Sequence, residues 1–289
     1  MTTNERSDHP GIGIHENVPS ATYHGWRLAS ASQLKVLDRA TPADLRESML
    51  HPKDTPQMRL GSAFHALVLE PDRFPELFAW DSPVNEKTGE PYGAATKAFA
   101  EWAAGQGGRT VITRSQYETA GRMAEAVLAK STMQGLLRLC PQREVSCIAE
   151  MHGSTVKSRF DALGHGIAFD LKSSGQGAGR VAFERAIATF GYDLQAAFYL
   201  NVAAAVYRYV SDFVFVAVDP RPPHNCGFYR LKNEVIDAVE QKLPVLLERY
   251  RTCVGLGEWP GLPDEVVDIG IPKWSMKELL EQVEGAGYE

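Results

Sequence analysis

The sequence SRFDALGHGIAFDLKS, residues 158–173, decides the fold. Apolar and polar residues alternate on both sides of Gly164–Gly166, which predicts two antiparallel strands, Ser154–Leu163 and Ile167–Ser173, joined by a short turn. A similar alternation over Val145–Met151 predicts a third strand before them. The chain is therefore expected to have a strand meander at its centre.

Four charged residues of this hairpin fall on predictable faces. Because successive side chains of a strand point to opposite faces, Arg159 shares a face with Asp161. On the next strand, Asp170 shares a face with Lys172. A turn of two or four residues would set the two aspartates opposite each other, and the arginine opposite the lysine. Facing carboxylates repel by roughly a few tenths of a kcal/mol, and a divalent cation between them would turn that repulsion into attraction.

The hairpin therefore predicts a metal site of hard oxygen ligands. Mg²⁺ and Mn²⁺ bind carboxylates, carbonyls and waters, so Asp161, Asp170 and the main-chain carbonyl of Leu171 are the candidate ligands. Lys172 would point into the same pocket, where it could hold or deprotonate the attacking water in a metal-assisted phosphodiester hydrolysis. The alternative is an ordinary ion pair between Asp161 and Lys172 on a solvated sheet face, which contributes little to stability.

The segments around the meander predict the domain organisation. Residues 1–20 are polar and predict a mobile arm, and residues 21–140 are mainly helical and carry His65. Residues 141–251 form the predicted core, and residues 252–289 form an acidic tail. This order of helices, strands, helix, strands and helix predicts an α/β fold with a mixed central β-sheet flanked by helices.

Helical periodicity, capping residues and prolines locate the elements on either side of the meander. Two further strands are predicted at Asp212–Val218 and Gly227–Leu231. The predicted helices are Ser30–Leu50 with a turn at Thr41-Pro42, Met58–Leu69, Ala94–Gly105, Ser115–Leu139, Phe183–Thr189, Asp193–Tyr209 and Glu234–Arg251.

Composition bounds the class of protein. The 289 residues are 44% hydrophobic and 23% charged, as in ordinary globular chains. A run of eighteen apolar residues and a signal-peptide pattern are both missing from the sequence, so we expect a soluble, cytoplasmic protein with no membrane contact. The four cysteines lack a C-x-x-C spacing, which disfavours a zinc site. The net charge of -6 arises mostly in the tail, where seven acidic residues and two lysines follow Pro260, so phosphate binding elsewhere is compatible with it.

Three motifs occur in order around the meander. An acidic residue on one strand, Asp161, is followed by D-L-K on the next strand, Asp170–Lys172, and by Q-x-x-x-Y on a helix, Gln195–Tyr199. This order resembles the PD-(D/E)XK nuclease superfamily, and within it the RecE-type (exonuclease VIII-like) and RecB-type branch. The segments LGSAFHALVLEP (60–71) and FERAIATFGYDLQAAFYL (183–200) resemble the phage RecE-like family. The resemblance implies a restriction-endonuclease-like core.

The resemblance adds a histidine to the metal ligands. His65 ends a G-x-x-x-H motif on a predicted helix and is similar to a histidine ligand of that branch. Imidazole also suits a transition metal, although a lone histidine near an apolar face can be an ordinary core residue. The implied metal ligands are His65, Asp161, Asp170 and Leu171, and the implied catalytic residues are Asp161, Asp170 and Lys172.

Residues beside the metal ligands are candidates for DNA contacts. Gln195 and Tyr199 are four residues apart and share a helix face, so both can address the sheet or a DNA strand. They can equally be a polar pair at the edge of the core. Arg159 could clamp a phosphate through its planar guanidinium, and Ser173 could donate to a phosphate oxygen or simply end the strand.

Two features depart from the family pattern or leave it open. Glu144 looks like the first acidic position of the family, with Glu150 as the competing candidate, and either could be an ordinary surface glutamate. The proline of the leading proline-aspartate pair is Phe160 here, which leaves the aspartate assignment intact. Since only Cys226 and Cys253 follow the core, the iron-sulfur cluster of some relatives is not expected.

The resemblance implies a function. It implies a Mg²⁺-dependent (or Mn²⁺-dependent) 5′-to-3′ exodeoxyribonuclease that degrades double-stranded DNA ends for recombination. It further implies a phage or prophage origin, a ring-shaped homo-oligomer and a single-strand annealing protein as partner. The alternatives are a RecB-like single-strand nuclease or endonuclease and, in another class, a catalytically silent DNA-binding protein with a nuclease fold.

Overall fold

The computed structural model of the protein describes residues 9–207 and 210–286. A six-stranded sheet and a separate two-stranded parallel pair run through this part of the chain. The strands are β1 (Gly13–His15), β2 (Phe78–Ala79), β3 (Thr110–Val111), β4 (Gln142–Met151), β5 (Ser154–Leu163), β6 (Ile167–Ser173), β7 (Asp212–Val218) and β8 (Cys226–Arg230).

Helices precede, interrupt and follow the strands of the large sheet. Several begin at a threonine whose side chain accepts a hydrogen bond from the first turn, as Thr41, Thr55 and Thr113 do. The helices are α1 (Ser20–Gly25), α2 (Ala31–Leu37), α3 (Pro42–Leu50), α4 (Pro56–Leu69), α5 (Phe74–Leu77), α6 (Lys97–Ala104), α7 (Arg114–Leu128), α8 (Ser131–Leu139), α9 (Arg180–Phe190), α10 (Tyr192–Tyr207), α11 (Asn233–Glu240), α12 (Leu243–Leu256) and α13 (Lys273–Ala286).

The large sheet is mixed, as the sequence predicts. Its strand order is β1-β4-β5-β6-β7-β8. Neighbouring strands are antiparallel except β6 and β7, which are parallel. Parallel neighbours need a long crossover connection, and α9 and α10 supply it here. The prediction of a mixed central sheet flanked by helices is confirmed.

Two apolar cores cover the two faces of this sheet. Phe215 of β7 belongs to the core that contains α2, α10 and α12, whereas the next residue, Val216, belongs to the core that contains α4 and α7. Strands covered on both faces read as nearly continuous apolar runs, as Asp212–Val218 does. Full burial of such a side chain contributes roughly 1.5–3 kcal/mol. The cores therefore hold α4 and α10 firmly against opposite faces of the sheet.

β5 and β6 separate soon after the turn that joins them. Of the described residues, only Ala162–Phe169 and Leu163–Ala168 pair between these strands, whereas β6 pairs with β7 along its whole length. This register is the predicted one, but the ladder ends before Asp161. We refer to the gap that opens between β5 and β6 at Asp161 as the fork.

Two predicted helices are each divided in the structure. The prediction of one helix over Glu234–Arg251 is wrong, because α11 ends at Glu240 and α12 begins at Leu243. Pro244 lies in the first turn of α12, where its missing N–H needs no partner, but it would break a continuous helix. The helix predicted over Ser115–Leu139 is likewise two helices, α7 and α8, with Lys130 in an extended conformation between them.

The two ends of the chain contain more structure than the sequence predicts. Residues 13–15, within the predicted mobile arm, form β1 and pair with β4, which gives that strand a hydrogen-bonding neighbour in place of an open edge. Residues 1–8 of the arm lie outside the described residues, as do residues 208–209 at the end of the predicted Asp193–Tyr209 helix. The predicted tail contains the end of α12 and all of α13.

A search of residues 9–207 and 210–286 finds no helix of the length and apolar character that a membrane crossing requires.

Candidate active site

Three acidic residues lie in one row across β4, β5 and β6. The pairs on either side, Arg143–Ala162 and Val145–Phe160, set Glu144 level with Asp161 although these two residues are not themselves paired, and the register of the β5–β6 turn sets Asp170 level with Asp161. The backbone of Glu144 is left-handed, with φ +48°. A side chain other than glycine costs about 1–3 kcal/mol in such a conformation, so the surrounding strands must impose it.

The fork gives the two aspartates different surroundings. On a regular strand Phe160 and Ala162 would share a face, yet Phe160 packs in the core of α10 and Ala162 in the core of α4. The strand is therefore irregular at Asp161, where the carboxylate accepts a 2.7 Å hydrogen bond from the amide of Leu171 across the fork. The sequence-based picture of two aspartates facing each other on a regular ladder missed this change of direction.

A histidine and two carboxylates converge beside the fork. His65 on α4 places its Nδ1 3.3 Å from Asp161 Oδ2. One ligand atom each of His65, Glu144 and Asp161 lies within 4.8 Å of the others. Opposite ligands of a Mg²⁺ or Mn²⁺ ion at about 2.0–2.3 Å would be about 4–4.6 Å apart, so the three side chains can share one ion.

The electrostatics of this cluster also fit a divalent cation. Burial, and then the charge of Asp161, raises the pKa of Glu144 to about 8. Burial raises the pKa of Asp161 to about 6, with His65 opposing the shift and Asp170 adding to it. These carboxyl groups are thus held where their negative charges are costly without a compensating cation. The two observations, converging ligand atoms and buried carboxyl groups, indicate that the residues present fit a metal ion.

Asp170 is held from two sides, next to the converging group rather than within it. Its Oδ1 accepts a 2.7 Å hydrogen bond from Gln195 Nε2. Its Oδ2 forms an ion pair with the ammonium of Lys172. The sequence predicts Asp170 and the carbonyl of Leu171 as ligands beside His65. The structure places Glu144 in the three-residue cluster, and the ligand roles of Asp170 and Leu171 stay predictions.

Lys172 remains charged in this setting. Burial acts against the ammonium, but Asp170 and then Asp161 outweigh it and raise the pKa of Lys172. The ammonium nitrogen lies 4.9 Å from the centre of the Tyr192 ring, a cation–π distance. Lys172 can therefore donate hydrogen bonds at neutral pH, but it has no free electron pair with which to accept a proton.

The two residues of the Q-x-x-x-Y motif have different surroundings. Gln195 is buried and reaches the site through Asp170. Tyr199 is also buried, and its hydroxyl donates a 2.9 Å hydrogen bond to the carbonyl of Arg159, on β5 beside the fork. Tyr199 thus supports β5 at a position where β6 no longer pairs with it. A hydrogen bond from this hydroxyl to a DNA phosphate would require it to leave the carbonyl of Arg159.

The remaining predicted positions can also be placed. The guanidinium of Arg159 lies 3.7 Å from Glu144 Oε2 and 5.2 Å from the Tyr23 ring, and it donates to the carbonyl of Val18. Of the two competing glutamates, Glu144 joins the cluster, whereas Glu150 is exposed and lies farther along β4. A phosphate contact by Arg159 would therefore compete with Glu144 for the same guanidinium.

A cleft of about 580 Å³ opens beside these residues. His65, Lys172 and the predicted phosphate contact Ser173 all line it. Met58 and Phe190 in its wall are about half exposed, at 53% and 47%. The cleft gives a substrate access to the lysine and the histidine from solvent.

Sequence reasoning missed two residues of the site. Lys35 on α2 donates a 3.3 Å hydrogen bond to Gln195 Oε1. The ring of Tyr192 is near both ammonium groups, with its centre 5.6 Å from that of Lys35 and 4.9 Å from that of Lys172. Tyr192 stands three residues before Gln195 in the quoted motif segment, so the segment contained a signal for it. Lys35 is 160 residues from Gln195, and no local pattern marks it.

Comparisons with known proteins establish the fold and the family of this chain. A crystal structure of a protein from Eubacterium rectale, described as "Putative exonuclease", superposes with a TM-score of 0.57 at 16% sequence identity, covering 91% of this chain and 98% of that one. At that identity the likeness establishes the fold alone. No curated protein matches the chain significantly. The family model described as "PDDEXK-like domain of unknown function (DUF3799)" matches residues 30–266, and the chain belongs to that family.

Proposed function

We propose that this protein is a metal-dependent deoxyribonuclease that hydrolyses phosphodiester bonds. The observation that carries the proposal is the convergence of His65, Glu144 and Asp161 within 4.8 Å beside the charged Lys172. Membership of the PDDEXK-like family and the fold shared with the bacterial protein support a nuclease. The intact acids, lysine and histidine argue against the alternative of a catalytically silent DNA-binding protein.

The residues divide the work by their chemistry. His65, Glu144 and Asp161 would hold Mg²⁺ or Mn²⁺, with Asp170 and the Leu171 carbonyl as further predicted ligands. When bound, such an ion activates water and neutralises charge on the phosphate.

Lys172 would supply hydrogen-bond donors, because Asp170 and Asp161 raise the pKa of its ammonium. Its N–H groups would orient the attacking water or a phosphate oxygen, while Asp170 fixes the direction of the ammonium. Gln195 holds Asp170 in turn.

The finer assignment is a 5′-to-3′ exonuclease of the RecE type that acts on double-stranded DNA ends in recombination. Its support is the order of the three motifs and the two segments, 60–71 and 183–200, that resemble the phage family. We extend the proposal to a cytoplasmic, phage- or prophage-encoded homo-oligomer, ring-shaped, that acts with a single-strand annealing protein. The proposed unit consists of the nuclease core, residues 141–251, and the helical part that contributes His65.

A time course on labelled DNA tests both the metal-dependent nuclease activity and the finer assignment as an exonuclease. Linear duplex labelled at the 5′ end or at the 3′ end, closed circular duplex and single strands are incubated with Mg²⁺ or with chelator. We expect Mg²⁺-dependent loss of linear duplex, with early release of 5′-labelled mononucleotide, and intact circles.

The outcomes separate the alternatives. Cutting of closed circles would replace the exonuclease with an endonuclease, and a preference for single strands would favour the RecB-like assignment. The matched variant is Asp161→Asn, which changes one ligand with little change in volume. Equal degradation by this variant and the wild type would show that the cluster is not the active site.

A further inference from the structure

We propose that Lys35 is a positioning residue of this site, which fixes the side-chain amide of Gln195 and through it the carboxylate of Asp170. The inference rests on the proposed nuclease function. Lys35 lies on α2, far from the motifs in the sequence and outside the elements that carry the metal ligands.

The direction of the hydrogen bonds carries the argument. An ammonium group has only donors, so Gln195 Oε1 must accept the 3.3 Å hydrogen bond from Lys35 Nζ. The amide nitrogen then points the other way and donates to Asp170 Oδ1 at 2.7 Å. The carboxylate of Asp170, which only accepts, favours the same amide orientation. Lys35 therefore adds a second contact that holds the amide from its other end, and without it the amide is held only by the carboxylate that it positions.

The backbone makes room for the lysine stem at a glycine. Gly191, between α9 and α10, has φ +64°, and a Cβ built there would lie 3.1 Å from both Cγ and Cδ of Lys35. A larger residue would thus be strained by its backbone angle and would crowd the stem. The same turn begins the helix that carries Gln195, so the lysine and the amide are placed by one local structure.

Stability alone does not account for this lysine. Within the described ranges, no carboxylate lies within the 4.0 Å of an ion pair with Lys35, although Asp170 and Asp193 act on it from farther away. Burial, and then the charge of Lys172, lowers the pKa of Lys35 to about 8. A second ammonium beside Lys172 is electrostatically unfavourable, so a role in orienting Gln195 explains its presence better than a contribution to folding.

The test is a double-mutant cycle on initial rates with linear duplex and Mg²⁺. Lys35→Met keeps the stem and removes the donor, and we expect kcat to fall about 10-fold with KM for DNA unchanged, since loss of a residue that orients a ligand or its neighbour costs roughly 10–100-fold. Lys35→Arg keeps a donor and should retain most of the activity. In a Gln195→Ala background, Lys35→Met should lower kcat less than about twofold, because the link is already broken.

Two results would overturn the inference. One is full activity of Lys35→Met. The other is a raised KM together with a full, independent loss in the Gln195→Ala background, which would make Lys35 a direct phosphate contact. Thermal melts check folding, and Lys35→Leu takes the place of the methionine variant if that variant is unstable. Asp161→Asn is measured in parallel: if it matches the wild type, the proposed function fails, and if it is inactive while Lys35→Met is fully active, only the role of Lys35 fails.

Discussion

Two lysines on neighbouring strands, Lys157 of β5 and Lys172 of β6, are withdrawn from solvent in different ways. Lys157 is 5% exposed, and its ammonium donates to the carbonyls of Tyr23 at 2.8 Å and Trp26 at 2.6 Å. Lys172 has its ion pair with Asp170 and the ring of Tyr192. Main-chain carbonyls therefore stabilise the ammonium of Lys157, whereas an acidic side chain stabilises that of Lys172.

The difference separates a structural charge from a chemical one. The carbonyls around Lys157 belong to the end of α1 and the turn after it, where the Tyr23 carbonyl also accepts from the Trp26 amide. Burial lowers the pKa of Lys157 to about 8, and no acid opposes that shift. The pKa of Lys172 is raised because acids surround it. A lysine whose partners are also candidates for holding a metal is placed for chemistry, whereas one satisfied by carbonyls is placed for folding.

The largest expected effect is on catalysis. Lys172→Met should lower kcat by about 10²–10³-fold, the usual cost of removing one hydrogen-bond donor from the reacting groups, because the water or phosphate loses its donor. Lys157→Met is the matched control, the same change at a similarly buried position, and should leave kcat unchanged. Initial rates on linear duplex measure both. Similar losses in the two variants would show that the comparison is mistaken.

The next effect is on stability, where we expect Lys157→Met to lose more free energy of unfolding than Lys172→Met. Lys157→Met leaves the carbonyl of Trp26 without the ammonium, whereas the carbonyl of Tyr23 keeps its hydrogen bond from the Trp26 amide. An unsatisfied buried acceptor costs about 1–3 kcal/mol, and we expect the free energy of unfolding in urea to fall by about that amount. If Lys157→Met is as stable as the wild type, the carbonyl contacts do not contribute to folding.

The smallest effect concerns the acids near Lys172. In the presence of chelator, Glu144→Gln should raise the melting temperature of the protein by about 2–4 °C, the shift that corresponds to roughly 1 kcal/mol of stability. The pKa of Glu144 is higher in the folded protein, about 8, than its ordinary value of 4.5, so its charge destabilises the fold increasingly as the pH rises between those values. The gain should therefore vanish near pH 4.5 and be complete above pH 8.

Magnesium provides the control for this last prediction. Mg²⁺ should raise the melting temperature of the wild type and have little effect on Glu144→Gln, because the glutamine is a poorer ligand. A variant that melts below the wild type in chelator would show that the charge of Glu144 is already compensated without metal.

The parts of the fold that follow from local periodicity could be predicted from the sequence. Three strands, Ser154–Leu163, Ile167–Ser173 and Asp212–Val218, have the predicted bounds. Alternation and turn residues are sufficient there because each strand is determined by its own side chains. The short strand β1 was missed, since three residues carry no measurable period and the strand depends on its pairing with β4.

The site was predictable in its residue types more than in its contacts. The sequence predicted His65 and Asp161, which converge, and left Glu144 and Glu150 open. The choice between the glutamates depends on how β4 pairs with β5, which local patterns do not determine. Lys35 could not be predicted for the same reason: its contact with Gln195 exists only once α2 packs against α10.

The fork between β5 and β6 has a mechanical consequence. The sheet consists of two panels, β1-β4-β5 and β6-β7-β8. Within the described residues their main chains pair only at the two positions next to the Gly164–Gly166 turn, and the side chain of Asp161 adds one hydrogen bond from the Leu171 amide. Asp161 stands on one side of this seam and Asp170 on the other, so a small rotation of one panel changes their separation. A ligand held by residues of both panels would cross-link them. The free energy of its binding would therefore depend on how easily one panel rotates against the other.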